Sequence, residues 1–102
     1  MYRVLVVDDE KMVLVSVCHS FDWKSHHIHQ VDSESNPYQA VEKIKANRYD
    51  AVFLDIRMPE LSGLDILKLC KDAFVPSVFV ILSGYSDFQY AQQALKLGAF
   101  DY

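Results

Sequence analysis

The sequence predicts an α/β domain built on a doubly wound parallel sheet. Three observations carry that prediction. Strand and helix signals alternate from end to end, in the order β-α-β-α-β-α-β-α-β. The strand segments are short, apolar and rich in β-branched residues, as in Val4-Leu5-Val6-Val7 and Ala51-Val52-Phe53-Leu54, which suits strands buried on both faces between layers of helices. The 102 residues are enough for one hydrophobic core and too few for two, so residues 1–102 are expected to form one domain. Right-handed crossovers between parallel strands then wind helices onto both faces of the sheet.

Each element has its own local signal. Arg3 to Val7 reads as the first strand, and Glu10 to about Phe21 as an apolar helix without Gly or Pro. That helix carries Met12, Val13, Leu14, Val15, Val17, Cys18 and Phe21, more apolar surface than the single stripe of a one-sided surface helix. Ile28 to Asp32 is a short second strand. Asn36-Pro37 then offers an N-cap followed by proline at the first helical position, opening a helix to about Asn47 with Ala40, Val41 and Ile44 inward. Tyr49 to Leu54 is the third strand. After a loop holding Met58-Pro59, Ser62-Gly63-Leu64-Asp65 matches a capping box for a helix ending near Ala73. Ser77 to Leu82 is the fourth strand. Ser86-Asp87-Phe88-Gln89 is a second capping box, and its helix closes with Lys96 in the last turn and Gly98 at the left-handed cap. Phe100-Asp101-Tyr102 begins a fifth strand.

Composition removes several function classes. The formal net charge is −4 and Lys and Arg do not cluster, which argues against direct nucleic-acid binding by this domain. No apolar stretch approaches the roughly 18 residues of a spanning helix, and Met1-Tyr2-Arg3 leads straight into a strand without a signal-peptide layout. A soluble, cytoplasmic protein with no membrane partner is expected. Cys18 and Cys70 lie in separate apolar helical segments and read as core filling rather than a disulfide. His26, His27 and His29 are close in sequence, and His27 and His29 would share a face if both lay in a strand. No Cys or acid sits at zinc-ligand spacing beside them, so a solvated loop entering a strand is the plainer reading.

The chemistry lies in the acids that end the buried strands. Asp8 and Asp9 follow the first apolar run and Asp55 follows the third strand. Ligands collect at the carboxyl ends of strands in open α/β sheets. If the two runs are parallel neighbours, roughly 4.8 Å apart, the three carboxylates crowd one pocket, where their repulsion is tolerable only beside a cation. An oxygen-only, partly hydrated ligand set suits Mg2+ best. Taken alone, these acids describe a metal site and leave the reaction at it open. The plainer alternative is that Asp9 or Glu10 simply favours the positive end of the first helix.

Four motifs, in order and at suitable spacing, make the chain resemble the receiver domain of bacterial two-component response regulators from about Arg3 to Tyr102. They are Val6-Val7-Asp8-Asp9-Glu10; Asp55-Ile56-Arg57-Met58-Pro59 with Ser62-Gly63-Leu64; Leu82-Ser83-Gly84-Tyr85; and Leu97-Gly98-Ala99-Phe100-Asp101-Tyr102. The resemblance implies a flavodoxin-like fold of strand order 2-1-3-4-5. It implies that Asp55 is the phosphoacceptor, that Asp8, Asp9, Asp55 and the main-chain carbonyl of Arg57 bind Mg2+, that Ser83 offers its hydroxyl to the phosphoryl group, and that Tyr102 is the aromatic switch. The phosphoryl donor would be a sensor histidine kinase, with the domain catalysing only its own phosphorylation and dephosphorylation. A phosphoryl group adds nearly two negative charges, and a bond to Ser83 would draw the following loop inward.

The segment Gly84-Tyr85-Ser86-Asp87-Phe88-Gln89-Tyr90-Ala91 is similar to receivers joined to an arabinose-regulator-type helix-turn-helix, which implies a DNA-binding transcriptional output in the parent protein. The family pattern continues beyond the Tyr102 position with lysine, proline and a last helix, so the chain is expected to lack most of the fifth strand and that helix. On this reading, self-association through the first helix and the free strand edge is expected, together with impaired switching. Two competing functions remain: a docking module that is never phosphorylated, and an aspartate-nucleophile phosphohydrolase. The latter usually needs an acid two residues after the nucleophile, where this chain has Arg57.

Overall fold

The computed structural model describes residues 2–20, 22–55, 58, 60–73, 75–82 and 92. Among the described residues four strands alternate with three α-helices: β1 (Tyr2–Val7), α1 (Lys11–Ser20), β2 (Ile28–Glu34), α2 (Pro37–Ala46), β3 (Ala51–Asp55), α3 (Gly63–Asp72) and β4 (Val78–Leu82). The strands form one parallel sheet in the order β2-β1-β3-β4, as expected for a doubly wound α/β domain. Apart from residue 92, which is helical, the expected fourth helix from Ser86 and the fifth strand at Phe100-Asp101-Tyr102 lie outside the described residues.

Alternation along the strands sorts side chains to two faces. Leu5 and Val7, Val52 and Leu54, and Phe79 and Ile81 are fully buried on one face, where Ala40, Val41 and Ile44 of α2 and Ile66, Leu67 and Cys70 of α3 meet them. Met58, from the loop after β3, joins this core. On the other face Val4 and Val6 are buried with Leu14 of α1, while Phe53, Val80 and Leu82 are half-buried. Trp23 meets Phe53 edge to face at 5.9 Å. The surplus apolar surface of α1 remains outside: Met12 is 77% and Val15 53% exposed.

The helix starts follow their local signals. The Asn36 carboxamide accepts the N–H groups of Tyr38 and Gln39, with Pro37 at the first helical position. Ser62 and Asp65 complete a reciprocal capping box. Boundaries differ where pairing overrides composition. β2 continues through Asp32-Ser33-Glu34 because each residue pairs with β1, ending at Val7 beside Glu34. Asp55 is the last residue of β3 itself, paired with Leu82.

A short 3-10 helix, Lys24–His26, precedes β2. His27 closes it in the left-handed conformation, φ 64°, so His27 and His29 do not share a strand face. His26, His27 and His29 are all exposed, as a solvated loop entering a strand requires. Cys18 and Cys70 are both free thiols. Among the described residues no helix is long and apolar enough to cross a membrane.

The core has a polar border along β2, beside the starts of β1 and β3. Tyr49 donates its hydroxyl to Asp32 at 2.6 Å, Gln30 donates to both Asp32 oxygens at 3.1 Å, and the Arg3 guanidinium stands 3.8 Å from Asp32 and 5.2 Å from the Tyr49 ring centre. Partial burial alone would push the Asp32 carboxyl up. The hydrogen bonds from Tyr49 and Gln30, with the charges of Arg3 and Lys43, outweigh it and hold the carboxyl below its ordinary value.

Candidate phosphoacceptor and metal site

The acidic residues singled out from the sequence converge. β1 and β3 are parallel neighbours with Val7 opposite Leu54, so Asp8 and Asp55 leave adjacent strands at the same level. Carboxylate oxygens of Asp8, Asp9 and Asp55 all lie within 4.8 Å of one another. Among the described residues no other three His, Cys, Asp or Glu side chains meet in this way, the histidines near β2 included. Asp8 is buried, Asp55 half-buried and Asp9 exposed, which leaves the cluster open to water on one side.

The surroundings of Asp8 disfavour its charge. Burial pushes the Asp8 carboxyl up; the Glu10 N–H, donating to Asp8 Oδ1 at 2.9 Å, lowers it, and the neighbouring charges of Asp9 and Glu10 raise it again, leaving it above the ordinary value. A hard cation would relieve that crowding, and a set of carboxylate oxygens open to water is the donor set such an ion takes. At the entry to α1 the Asp8 side chain also accepts the Glu10 N–H, two residues on.

Asp8 is anchored through its main chain as well: its N–H donates to the Glu34 carbonyl at 3.2 Å. Glu34 and Lys43, which hold the end of β2 together, were not singled out from the sequence. A main-chain carbonyl leaves no residue signature, and Glu34 lies past the apolar part of its strand. Arg57, Ser83 and Tyr102 lie outside the described residues.

A sequence model described as the response regulator receiver domain matches residues 4–102. This chain belongs to that family. The uncharacterized transcriptional regulatory protein YesN of Bacillus subtilis is 35% identical over 100% of this chain and 28% of its own length. The transcriptional regulatory protein HptR of Staphylococcus aureus is 28% identical over 100% of this chain and 40% of its own length. The chain thus spans less than half of these curated relatives. Among solved structures, the receiver domain of AraT, a response regulator from Geobacillus stearothermophilus, superposes with a TM-score of 0.85 at 29% identity, covering 99% of this chain and 78% of that one. A response regulator receiver domain protein from Clostridium thermocellum gives a TM-score of 0.84 at 30% identity, covering 100% and 80%. Receiver domains of response regulators are generally signalling modules of two-component systems rather than enzymes, and they generally interact with histidine kinases.

Proposed function

We propose that residues 1–102 form one receiver domain in which Asp55 accepts a phosphoryl group from the phosphohistidine of a sensor histidine kinase. One observation carries the reading: the convergence of the Asp8, Asp9 and Asp55 carboxylates within 4.8 Å at the carboxyl edge of the sheet. An Asp55 carboxylate oxygen forms the new bond to phosphorus as the bond from phosphorus to the donor nitrogen breaks, and the electron pair leaves with the nitrogen. Asp8, Asp9 and Asp55, with the Arg57 carbonyl, would hold Mg2+, which when bound supplies positive charge beside the phosphoryl oxygens. Hydrolysis of the acyl phosphate by water restores Asp55, the only turnover assigned to the domain.

Ser83 is the proposed hydroxyl donor to the phosphoryl group and Tyr102 the aromatic that moves with it, passing the signal to a DNA-binding output domain outside this sequence. YesN and HptR are named as transcriptional regulatory proteins, which supports that output. The domain itself is assigned to the cytoplasm, without contact to nucleic acid or membrane. A second copy would associate through the exposed flank of α1, Met12 and Val15, and the β2 edge of the sheet. A monodisperse monomer in sedimentation would overturn that last assignment.

The test is exposure of the chain to a small phosphoryl donor with Mg2+, followed by intact-mass measurement. One base-labile phosphoryl adduct on the wild type, absent from Asp55→Asn and not formed when Mg2+ is chelated beforehand, is the expected result. No adduct under any condition would identify a docking module instead.

A further inference from the structure

We propose that Glu34 is a positioning residue for Asp8, locked by Lys43, so that the carboxyl end of β2 sets the geometry of the acidic cluster. The inference rests on the reading of Asp8, Asp9 and Asp55 as a divalent-cation site. Asp8 lies one residue beyond β1, where the ladder with β2 ends, yet its N–H still donates to the Glu34 carbonyl at 3.2 Å. Its carboxylate is held from the other side by the Glu10 N–H at 2.9 Å. The first of these contacts depends on where Glu34 aims its carbonyl.

That carbonyl sits at a place where the chain must turn, since β2 ends at Glu34 and α2 begins at Pro37. The Glu34 side chain folds back over the turn. Its Oε2 accepts the N–H of Ser35 at 3.0 Å and of Asn36 at 2.9 Å, satisfying two main-chain donors that neither strand nor helix uses. Its Oε1 meets Lys43 Nζ at 3.0 Å, and the same ammonium donates to the Ser33 carbonyl at 3.2 Å. Lys43 thus grips the last two residues of the strand at once, one through its main chain and one through its side chain. The Glu34 side chain is only 17% exposed, so these bonds are largely sheltered from competing water.

A simple staple between α2 and β2 would use the same contacts, and it makes a different prediction. A staple affects stability alone, whereas a positioning residue changes the affinity of the site it orients. Removing partners that orient metal ligands typically costs roughly 10- to 100-fold in affinity; Glu34 acts through main chain, so about tenfold is expected.

The experiment compares the wild type with Glu34→Ala, Lys43→Met, Glu34→Gln and Cys70→Ala. The last opens a gap in the buried core of α3, away from the cluster. Two quantities are read: the hydrogen-exchange rate of the Asp8 amide in metal-free protein, and the Mg2+ dissociation constant by calorimetry. Expected are faster Asp8 exchange and about tenfold weaker Mg2+ binding in Glu34→Ala. Lys43→Met should show a smaller loss of the same kind, and Glu34→Gln, which keeps the acceptor for Ser35 and Asn36, a substantial recovery. Cys70→Ala should melt at lower temperature yet bind Mg2+ as the wild type does.

Wild-type Mg2+ affinity in both Glu34→Ala and Lys43→Met overturns the inference and leaves the cation site standing, as does an equal loss in Cys70→Ala. Failure of the wild type itself to bind Mg2+ sinks the cation site, and the inference with it. Should Glu34→Ala not fold, Lys43→Met decides alone, since its substitution falls at a partly exposed position.

Discussion

Replacing Asp8 with asparagine should stabilise the metal-free protein and abolish its response to Mg2+. The substitution removes one negative charge while keeping a side-chain oxygen for the Glu10 N–H. The Asp8 carboxyl is held above its ordinary value, chiefly by burial, with Asp9 and Glu10 adding to the rise. A group raised in this way contributes stability that is present below the ordinary carboxylate value and lost as pH rises through its folded value. At neutral pH, ionised Asp8 is therefore a cost. Two unit charges 4.8 Å apart, the outer limit for this cluster, repel by about 1.7 kcal/mol at an effective dielectric constant of about 40. Solvent screening at exposed Asp9 reduces its share, so a net gain of about 1–2 kcal/mol is expected for Asp8→Asn. In a domain of this size that raises Tm by roughly 5 °C or more. Mg2+ at 100 times its dissociation constant should instead add about 2.7 kcal/mol to the wild type and little to the variant. Thermal melts with and without Mg2+ at neutral pH should thus invert the order of the two proteins. In acid the metal-free difference should vanish as Asp8 takes up its proton. An Asp8→Asn protein that melts below the wild type without metal, or equal gains from Mg2+ in both, would refute the electrostatic account.

Four further outcomes follow from other parts of the fold. Tyr49→Phe removes a 2.6 Å bond to Asp32; bonds to charged acceptors contribute about 1.5–3 kcal/mol, and partial exposure of Asp32 brings the expected loss to about 1–2 kcal/mol in urea unfolding at neutral pH. Because Asp32 is held below its ordinary value, that loss should persist above 3.8 and shrink as pH falls through the lower folded value. The Tyr49 hydroxyl, pushed up to about 12 by burial and by its bond to Asp32, should resist ionisation in an alkaline spectrophotometric titration. Glu60, exposed and at φ 71°, pays the penalty of the left-handed region, so Glu60→Gly should raise stability by about 0.5–1 kcal/mol in the same assay. Burial pushes the buried Cys70 thiol up to about 11, whereas Cys18 is half-buried, so a thiol reagent should label Cys18 in the folded protein and Cys70 only on unfolding.

Legibility in the sequence tracked how local the cause was. Asn36-Pro37 and Ser62 to Asp65 carry their capping partners within three residues, and both helices begin where those residues indicate. The runs ending at Val7 and Leu54 are apolar enough to be strands buried on both faces, and their acids had to share an edge once the strands were parallel neighbours. The end of β2 was not readable in this way. Asp32-Ser33-Glu34 favours a turn by composition and is held extended by hydrogen bonds to β1, a partner distant in sequence. The left-handed His27 was hidden for a similar reason, because its conformation closes a 3-10 turn that the side chains around it do not announce.

The acidic cluster combines both cases. Side-chain chemistry identifies Asp8, Asp9 and Asp55, since carboxylates at the ends of neighbouring buried strands have few other uses. What aims Asp8 is different in kind: a main-chain N–H of Glu10, a main-chain carbonyl of Glu34, and a lysine on α2 whose role appears only once β2 is seen to reach Glu34. Residue identity at the site therefore constrains the chemistry more tightly than it constrains the geometry. If Asp8, Asp9 and Asp55 hold Mg2+ as proposed, variation at Glu34 or Lys43 would alter metal affinity in a domain whose three acids are unchanged.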